Sequence, residues 1–267
     1  MLSSRLAPHA EEPDLPGGPL TAAFASGRRQ QLRAGATLFE EGDTSNRVVL
    51  LLSGRCKVST FSGDGQETIL AYRDAGDLLG ELSAIDGEPH LAAVTVVEPG
   101  EGLVLTAARF LAALAEQPTL GLTVMRSLVG RLRDADHKRA EFVSLDVVGR
   151  VALRLLELAE RYGEPAALGT VIGLPISQRE LAGWVGASRE AVNKGLAQLE
   201  ALGLIAVERR RLFFGTSEAS AAAQPDRRRS GGGDRVEMPP TGDPLERVLA
   251  AVVVGDPRAD RKVLDRR

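Results

Sequence analysis

Ser177-Gln178-Arg179-Glu180-Leu181-Ala182-Gly183-Trp184-Val185-Gly186-Ala187-Ser188-Arg189-Glu190-Ala191-Val192-Asn193-Lys194, running on to Leu196, Leu199 and Leu202, is the stretch that decides the architecture of this 267-residue chain. Ser177 followed three residues later by Glu180 is a capping box, which predicts a helix from residue 178. Leu181, Trp184 and Val185 give that helix one apolar face. Gly186 can adopt a positive φ and turn the chain sharply. Ser188 then caps a second helix, whose Val192, Leu196 and Leu199 share a face. Ala182 is small where two crossing helices meet, and Ala182, Gly186 and Val192 have the spacing of a helix-turn-helix.

Arg189, Glu190 and Lys194 lie on the front of the second helix, away from its apolar face. Arginine can pair with the guanine edge and glutamate can accept from cytosine N4. The plainer reading is three solvated charges on an ordinary helix pair. The segment after Leu202 favours nucleic acid. Gly203 ends the helix, and Leu204–Val207 and Leu212–Phe214 read as two short strands around Glu208-Arg209-Arg210-Arg211. That is a β-wing with a basic tip, suited to phosphate. Residues 177–214 are therefore expected to bind DNA. Arg189 is assigned to guanine, Glu190 to cytosine, and Lys194 to a further guanine or a phosphate. Gln178, Arg209, Arg210 and Arg211 are candidate phosphate contacts, and Ser188 joins the set at the helix start.

Composition bounds the rest. The length suggests about two domains, and a hydrophobic fraction of 43% is enough for packed cores. Net charge is −3, so affinity for DNA must come from a local patch rather than the field of the whole molecule. The single cysteine, Cys56, falls in phase with Leu50, Leu52 and Val58 and reads as a core residue; one cysteine excludes an internal disulfide. No charged-then-apolar leader stands at the N-terminus, and the longest apolar runs, near Leu91–Val97 and Val248–Val254, are too short to span a bilayer. A soluble cytoplasmic protein is expected. There is no Gly-x-x-x-x-Gly-Lys loop, no His-Glu-x-x-His pair and no Gly-x-Ser-x-Gly elbow. His9, His90 and His137 are scattered. Neither catalysis nor a bound metal is expected.

In chain order, residues 1–18 read as a flexible arm and 19–116 as a domain of short strands, with a small helix near Leu20–Phe24. Expected strands are Leu38-Phe39, Val48–Leu52 ending at Ser53-Gly54, Cys56–Thr60, Thr68–Tyr72, Ala92–Val97 and Leu103–Leu105, a spacing that suggests a sandwich or barrel. Gly80-Glu81-Leu82-Ser83-Ala84 looks like one helical turn whose amides can face an anion, while Glu81 can accept from a sugar hydroxyl. Residues 117–143 form a long helix with Pro118 at its first position and Leu120, Val124, Leu128, Leu132 and Ala135 along one face. Leu145–Arg150 reads as a hinge, 144–215 as the winged helix-turn-helix domain with a strand at Thr170–Leu174, and 216–267 as a disordered low-complexity tail.

Gly35-x-x-Leu38-Phe39-x-Glu41-Gly42-Asp43, Leu51-x-Ser53-Gly54, Asp64-Gly65, Gly76-Asp77, Gly80-Glu81-Leu82 and Asp86-Gly87 look like the cyclic-nucleotide-binding β-roll. Joined to a long helix and a winged helix-turn-helix, they resemble the Crp/Fnr (catabolite activator protein) family of bacterial transcription regulators over roughly residues 20–215. The resemblance implies an α+β fold with an N-terminal β-roll, a long dimerisation helix and a C-terminal winged helix-turn-helix. It also implies a homodimer on a near-palindromic double-stranded operator, RNA polymerase as a further partner, and no membrane. Cyclic AMP is the candidate effector, held in the family by the Gly-Glu-Leu turn and an Arg-Ser pair. Gly80, Glu81, Leu82 and Ser83 supply the turn here, but the pair reads His90-Leu91, and Ala135 and Asp136 stand where the purine is met. A leucine offers no donor, and a histidine lacks the permanent charge and fork of arginine. The alternatives left by that replacement are a degenerate pocket or one for another ligand. The competing function is a nucleotide-sensing module acting on a protein partner rather than on DNA.

Overall fold

The computed structural model describes residues 18–63, 65–166, 169–172, 176–208 and 211–214. The expected arm up to residue 17, the tail 216–267, and Arg209 and Arg210 lie outside these. The chain divides into two compact units, Met1–His137 and Lys138–Arg267. None of the described helices is long and apolar enough to cross a membrane.

The first unit runs α1 (Pro19–Ala23), β1 (Arg28–Leu32), β2 (Thr37–Phe39), β3 (Arg47–Phe61), β4 (Glu67–Arg73), β5 (Leu78–Leu79), α2 (Glu81–Asp86), β6 (Ala93–Thr106), α3 (Ala107–Glu116) and the start of α4 (Pro118–Ser144). Its antiparallel sheet has the order β1-β6-β3-β4, with β2 also on β6 and β5 on β3. The unbroken apolar run Val48–Leu51 is explained by burial on both faces. Val48 and Leu50 point into a core shared with Phe24, Phe110, Leu120 and Val124. Val49 and Leu51 point into a second one, with Leu38, Phe39, Cys56 and Val96. This is the period of two that a strand imposes on its side chains. Cys56 is a core residue as expected; burial, aided by Asp74 and Asp77, pushes its thiol up to about 12, so it stays protonated.

Two expected chain breaks are absent. Ser53-Gly54 does not end a strand, and the residues around Gly100 do not separate two. β3 and β6 each continue through these points, and their pairing shifts register between Leu51 and Ser53, Ser53 and Arg55, and Arg55 and Cys56. Such irregularities bend long strands instead of terminating them. Gly54 takes φ 85°, and a Cβ on Gly100 would lie 2.0 Å from the Ser53 carbonyl oxygen. The glycines thus permit a backbone approach that signals a turn when read in one dimension. α3 was not anticipated. It starts where β6 ends, capped by the Thr106 side chain accepting from Arg109 N–H, with no glycine or proline between.

Along the expected α4 face, Leu120 and Val124 are buried in their own unit and Leu128 packs partly against the same core, while Leu132 and Ala135 are exposed. A different stripe is open: Leu122, Met125, Val129 and Leu132 are 47%, 54%, 48% and 62% exposed.

The second unit holds the end of α4, α5 (Val147–Tyr162), β7 (Gly163–Ala166), β8 (Gly169–Ile172), α6 (Gln178–Val185), α7 (Arg189–Ala201), β9 (Ile205–Glu208) and β10 (Arg211–Phe214). The expected hinge shortens to Leu145 and Asp146, because the Asp146 side chain accepts from Gly149 N–H and starts α5 at Val147. Strand order is β7-β8-β10-β9, and α5 packs against both α6 and α7.

Gly100→Ala should remove about 3 kcal/mol or more of stability, since its new methyl meets fixed backbone. Gly35→Ala, at φ 79° with open space around the Cβ, should lose only about 1–2 kcal/mol for the left-handed conformation. Urea midpoints of the two variants check the contrast.

Candidate nucleic-acid interface and effector site

Ser177 accepts from Glu180 N–H at 3.1 Å while the Glu180 carboxylate accepts from Ser177 N–H at 3.0 Å, completing the expected capping box of α6. Gly186 takes φ 67° and ψ 48°, and Ala187 N–H returns to the Ala182 carbonyl at 3.1 Å. Ser188 accepts from Ala191 N–H at 3.2 Å and starts α7. Val192, Gly195, Leu196 and Leu199 face inward. At Gly195 the helices come close: a Cβ there would sit 3.6 Å from Val151 Cγ2 of α5.

With that face anchored, Arg189, Glu190, Asn193 and Lys194 are exposed together on the other side of α7. Asn193 was not singled out from sequence, although its position four residues after Arg189 places it on the same face. It can pair with adenine in the major groove. Gln178 and Ser188 are exposed at the starts of α6 and α7. β9 and β10 pair antiparallel as a wing should, Arg211 opposite Glu208. Arg209 and Arg210 lie outside the described residues.

In the first unit Gly80 takes φ 80° at the start of α2, where a Cβ would lie 2.8 Å from both the Arg47 carbonyl oxygen and the Phe39 ring. Glu81 is only 3% exposed. Its partner is Arg131 of α4, whose Nη1 donates to Glu81 Oε1 and whose Nη2 donates to the Leu78 carbonyl at 2.9 Å, with Asp77 at 3.5 Å. Arg131 was not among the residues assigned to this site from sequence. His90 is 5% exposed. Its Nε2 shares a hydrogen bond with Ser45 Oγ at 2.8 Å and its Nδ1 one with Ser83 Oγ at 3.0 Å. The Phe39 ring lies 4.3 Å away, centroid to centroid. Burial lowers the imidazole pKa, and Arg47 adds to this; Asp43, the Ser45 hydrogen bond and Glu81 oppose it less strongly. The ring is thus neutral near pH 7, one nitrogen donating and the other accepting. Leu82, Leu91, Ala135 and Asp136 are all exposed.

Residues 29–117 match the family Cyclic nucleotide-binding domain, and residues 149–214 the Crp-like helix-turn-helix domain. The chain is 33% identical over 187 residues to the CRP-like cAMP-activated global transcriptional regulator of Mycobacterium tuberculosis, covering 70% of this chain and 84% of that one. The chain belongs to the Crp/Fnr family of transcription regulators. The Cyclic AMP receptor protein of Thermus thermophilus is 32% identical over 196 residues, covering 73% and 85% of the two chains. The solved structure of the c-di-GMP responsive global regulator CLP of Xanthomonas campestris shares the fold with a TM-score of 0.65 at 24% identity, over 74% of this chain and 98% of that one.

This Crp/Fnr protein is thus a helix-turn-helix DNA-binding regulator. The alternative of a module acting only on a protein partner gains no support. Two residues of its second unit escaped the sequence reading. Arg150 donates to Val185 and Leu145 carbonyls, and Arg154 to Glu141 and Glu157 carboxylates. The signal was available for Arg154, a charge between Val151 and Leu155 on an apolar face, which requires a partner.

His90 carries a pH dependence. Its folded-state pKa lies below its ordinary value, so the unfolded chain binds the extra proton. The stability this contributes is complete above about pH 6.5 and is lost as pH falls through the folded value. Urea midpoints at about pH 7.5 and 5.5 should show the wild type losing more stability on acidification than His90→Gln.

Proposed function

We propose that the chain acts in the cytoplasm as a homodimer joined along α4, whose two α7 helices enter successive major grooves of a near-palindromic operator about 34 Å apart. The observation that carries the dimer is the open stripe on α4. Leu122, Met125, Val129 and Leu132 are exposed and spaced three, four and three residues apart. That is the seam of a two-stranded coiled coil, and its natural cover is the same seam of a second copy.

On the DNA, Arg189 reads guanine, Glu190 accepts from cytosine, and Lys194 meets a further guanine or a phosphate. Gln178 and Arg209–Arg211 contact phosphates, and Ser188 stands at the helix start where backbone amides do the same. Regulation of transcription from such a site requires contact with, or exclusion of, RNA polymerase.

The effector domain holds cyclic AMP weakly in this reading. The Mycobacterium and Thermus relatives are named as cyclic AMP regulators. In this chain a neutral imidazole at 90 and an exposed leucine at 91 replace a guanidinium and a hydroxyl. Ser83 and Glu81 are engaged by His90 and Arg131. A cyclic phosphate finds no charge-assisted fork there.

Arg189→Ala should weaken binding to the preferred duplex by about 1–3 kcal/mol and relax one base position. Equal weakening on all sequences would make Arg189 a phosphate contact instead. Leu132→Asp should convert the dimer to monomer in sedimentation and abolish the preference for two half-sites over one; a dimer that survives it would displace the α4 seam.

A further inference from the structure

The last stretch of α4, from Lys138 to Ser144, belongs to the second unit, and its side chains reach the helix pair that presents Arg189. Arg154 of α5 is 7% exposed. Its guanidinium donates to Glu141 of α4 and to Glu157 of α5, and lies 5.9 Å from the ring centroid of Trp184 on α6. Lys138 of α4 lies 5.9 Å from the same ring. One turn earlier on α5, Arg150 donates to the Leu145 carbonyl at 2.9 Å and to the Val185 carbonyl at 3.0 Å. Its guanidinium stands 4.6 Å from the ring centroid of Phe142 on α4. That ring comes within 3.2 Å of where a Cβ on Gly186 would be.

We propose that Arg150 and Arg154 are positioning residues that clasp the end of α4 to α6, and that this clasp sets the half-site spacing the dimer accepts. The proposal rests on the dimeric reading above. Only Leu145 and Asp146 separate α4 from α5, and two backbone residues alone permit a swivel. Arg150 removes that freedom by bonding carbonyls at the C-terminal ends of two helices, where both the unmet acceptors and the dipole favour a cation. Arg154 is a buried charge and must keep its partners. Glu157 lies on its own helix and ties nothing together; Glu141 is the partner that makes the link. With α4 on the dimer axis, a swing at Leu145–Asp146 moves the two α7 helices together or apart. The clasp therefore controls their separation without touching DNA.

Glu141→Gln tests this, because it is isosteric and leaves Arg154 paired with Glu157. The probes are the palindrome that the wild-type chain selects from a random duplex library, the same palindrome with its centre lengthened or shortened by one base pair, and a single half-site. The wild type should prefer its own spacing by at least about tenfold, because simultaneous engagement of both half-sites is lost when the geometry misfits. Glu141→Gln should bind the single half-site within about twofold of wild type, shift the emission of Trp184, and reduce the spacing preference to below about threefold. A change confined to folding would not separate half-site affinity from spacing preference. Arg154→Lys, which keeps the charge and loses the fork, provides the same comparison should Glu141→Gln fail to fold. Retention of the wild-type spacing preference in the folded variant, with or without an altered Trp184 emission, overturns the clasp and leaves the dimer standing. A wild type that shows no spacing preference overturns the dimeric reading and the clasp with it.

Discussion

The left-handed turn at Gly186 is the constraint on which the functional half of the molecule depends. A side chain at φ 67° is strained on any residue but glycine. The same position faces the Phe142 ring so closely that a Cβ would sit 3.2 Å from it. One residue thus reverses the chain between α6 and α7 and lets the end of α4 lie against the turn. The outward presentation of Arg189 depends on this reversal. Ser188 caps α7, and Val192 and Leu196 bury its other face.

The first unit is organised by a different rule, burial of a strand on both faces. Val48–Leu51 feeds two cores at once, one among helices and one inside the roll. β5 repeats the device, Leu78 joining one core and Leu79 the other. That fixes the start of α2, and with it Glu81 and Ser83. A carboxylate as buried as Glu81 needs a cation, and Arg131 of α4 supplies it. The pair ties the turn at Gly80–Ser83 to α4. His90, neutral, is held between Ser45 and Ser83 next to that turn.

The helix-turn-helix was legible almost residue by residue, because caps, a positive-φ glycine and a helical apolar period are local signals. The capping box, the turn and both helix starts agree with the structure. Long-range features were not legible. Gly54 read as a strand end, and the residues around Gly100 as a gap between strands, because the close approach of β3 to β6 involves residues far apart in sequence. How far the α4 stripe is covered within its own unit was not legible, because Leu120 and Leu132 share a helical period while only the tertiary core decides which of them is buried. Arg131, Ser45 and Asn193 were missed for related reasons: their partners or neighbours become visible only in three dimensions. Arg154 is the exception, since a charge inside an apolar face is a local anomaly.

Sequence-specific DNA binding is the central claim. The most direct measurement is selection from a random duplex library at fixed salt, with and without cyclic AMP, followed by the stoichiometry of the selected complex. The same near-palindrome should be enriched in both conditions, with its half-sites one helical turn apart and two chains on each duplex. No enrichment in either condition would contradict the assignment of α7 as a recognition helix. Enrichment that requires cyclic AMP would contradict the weak phosphate anchor read from His90 and Leu91.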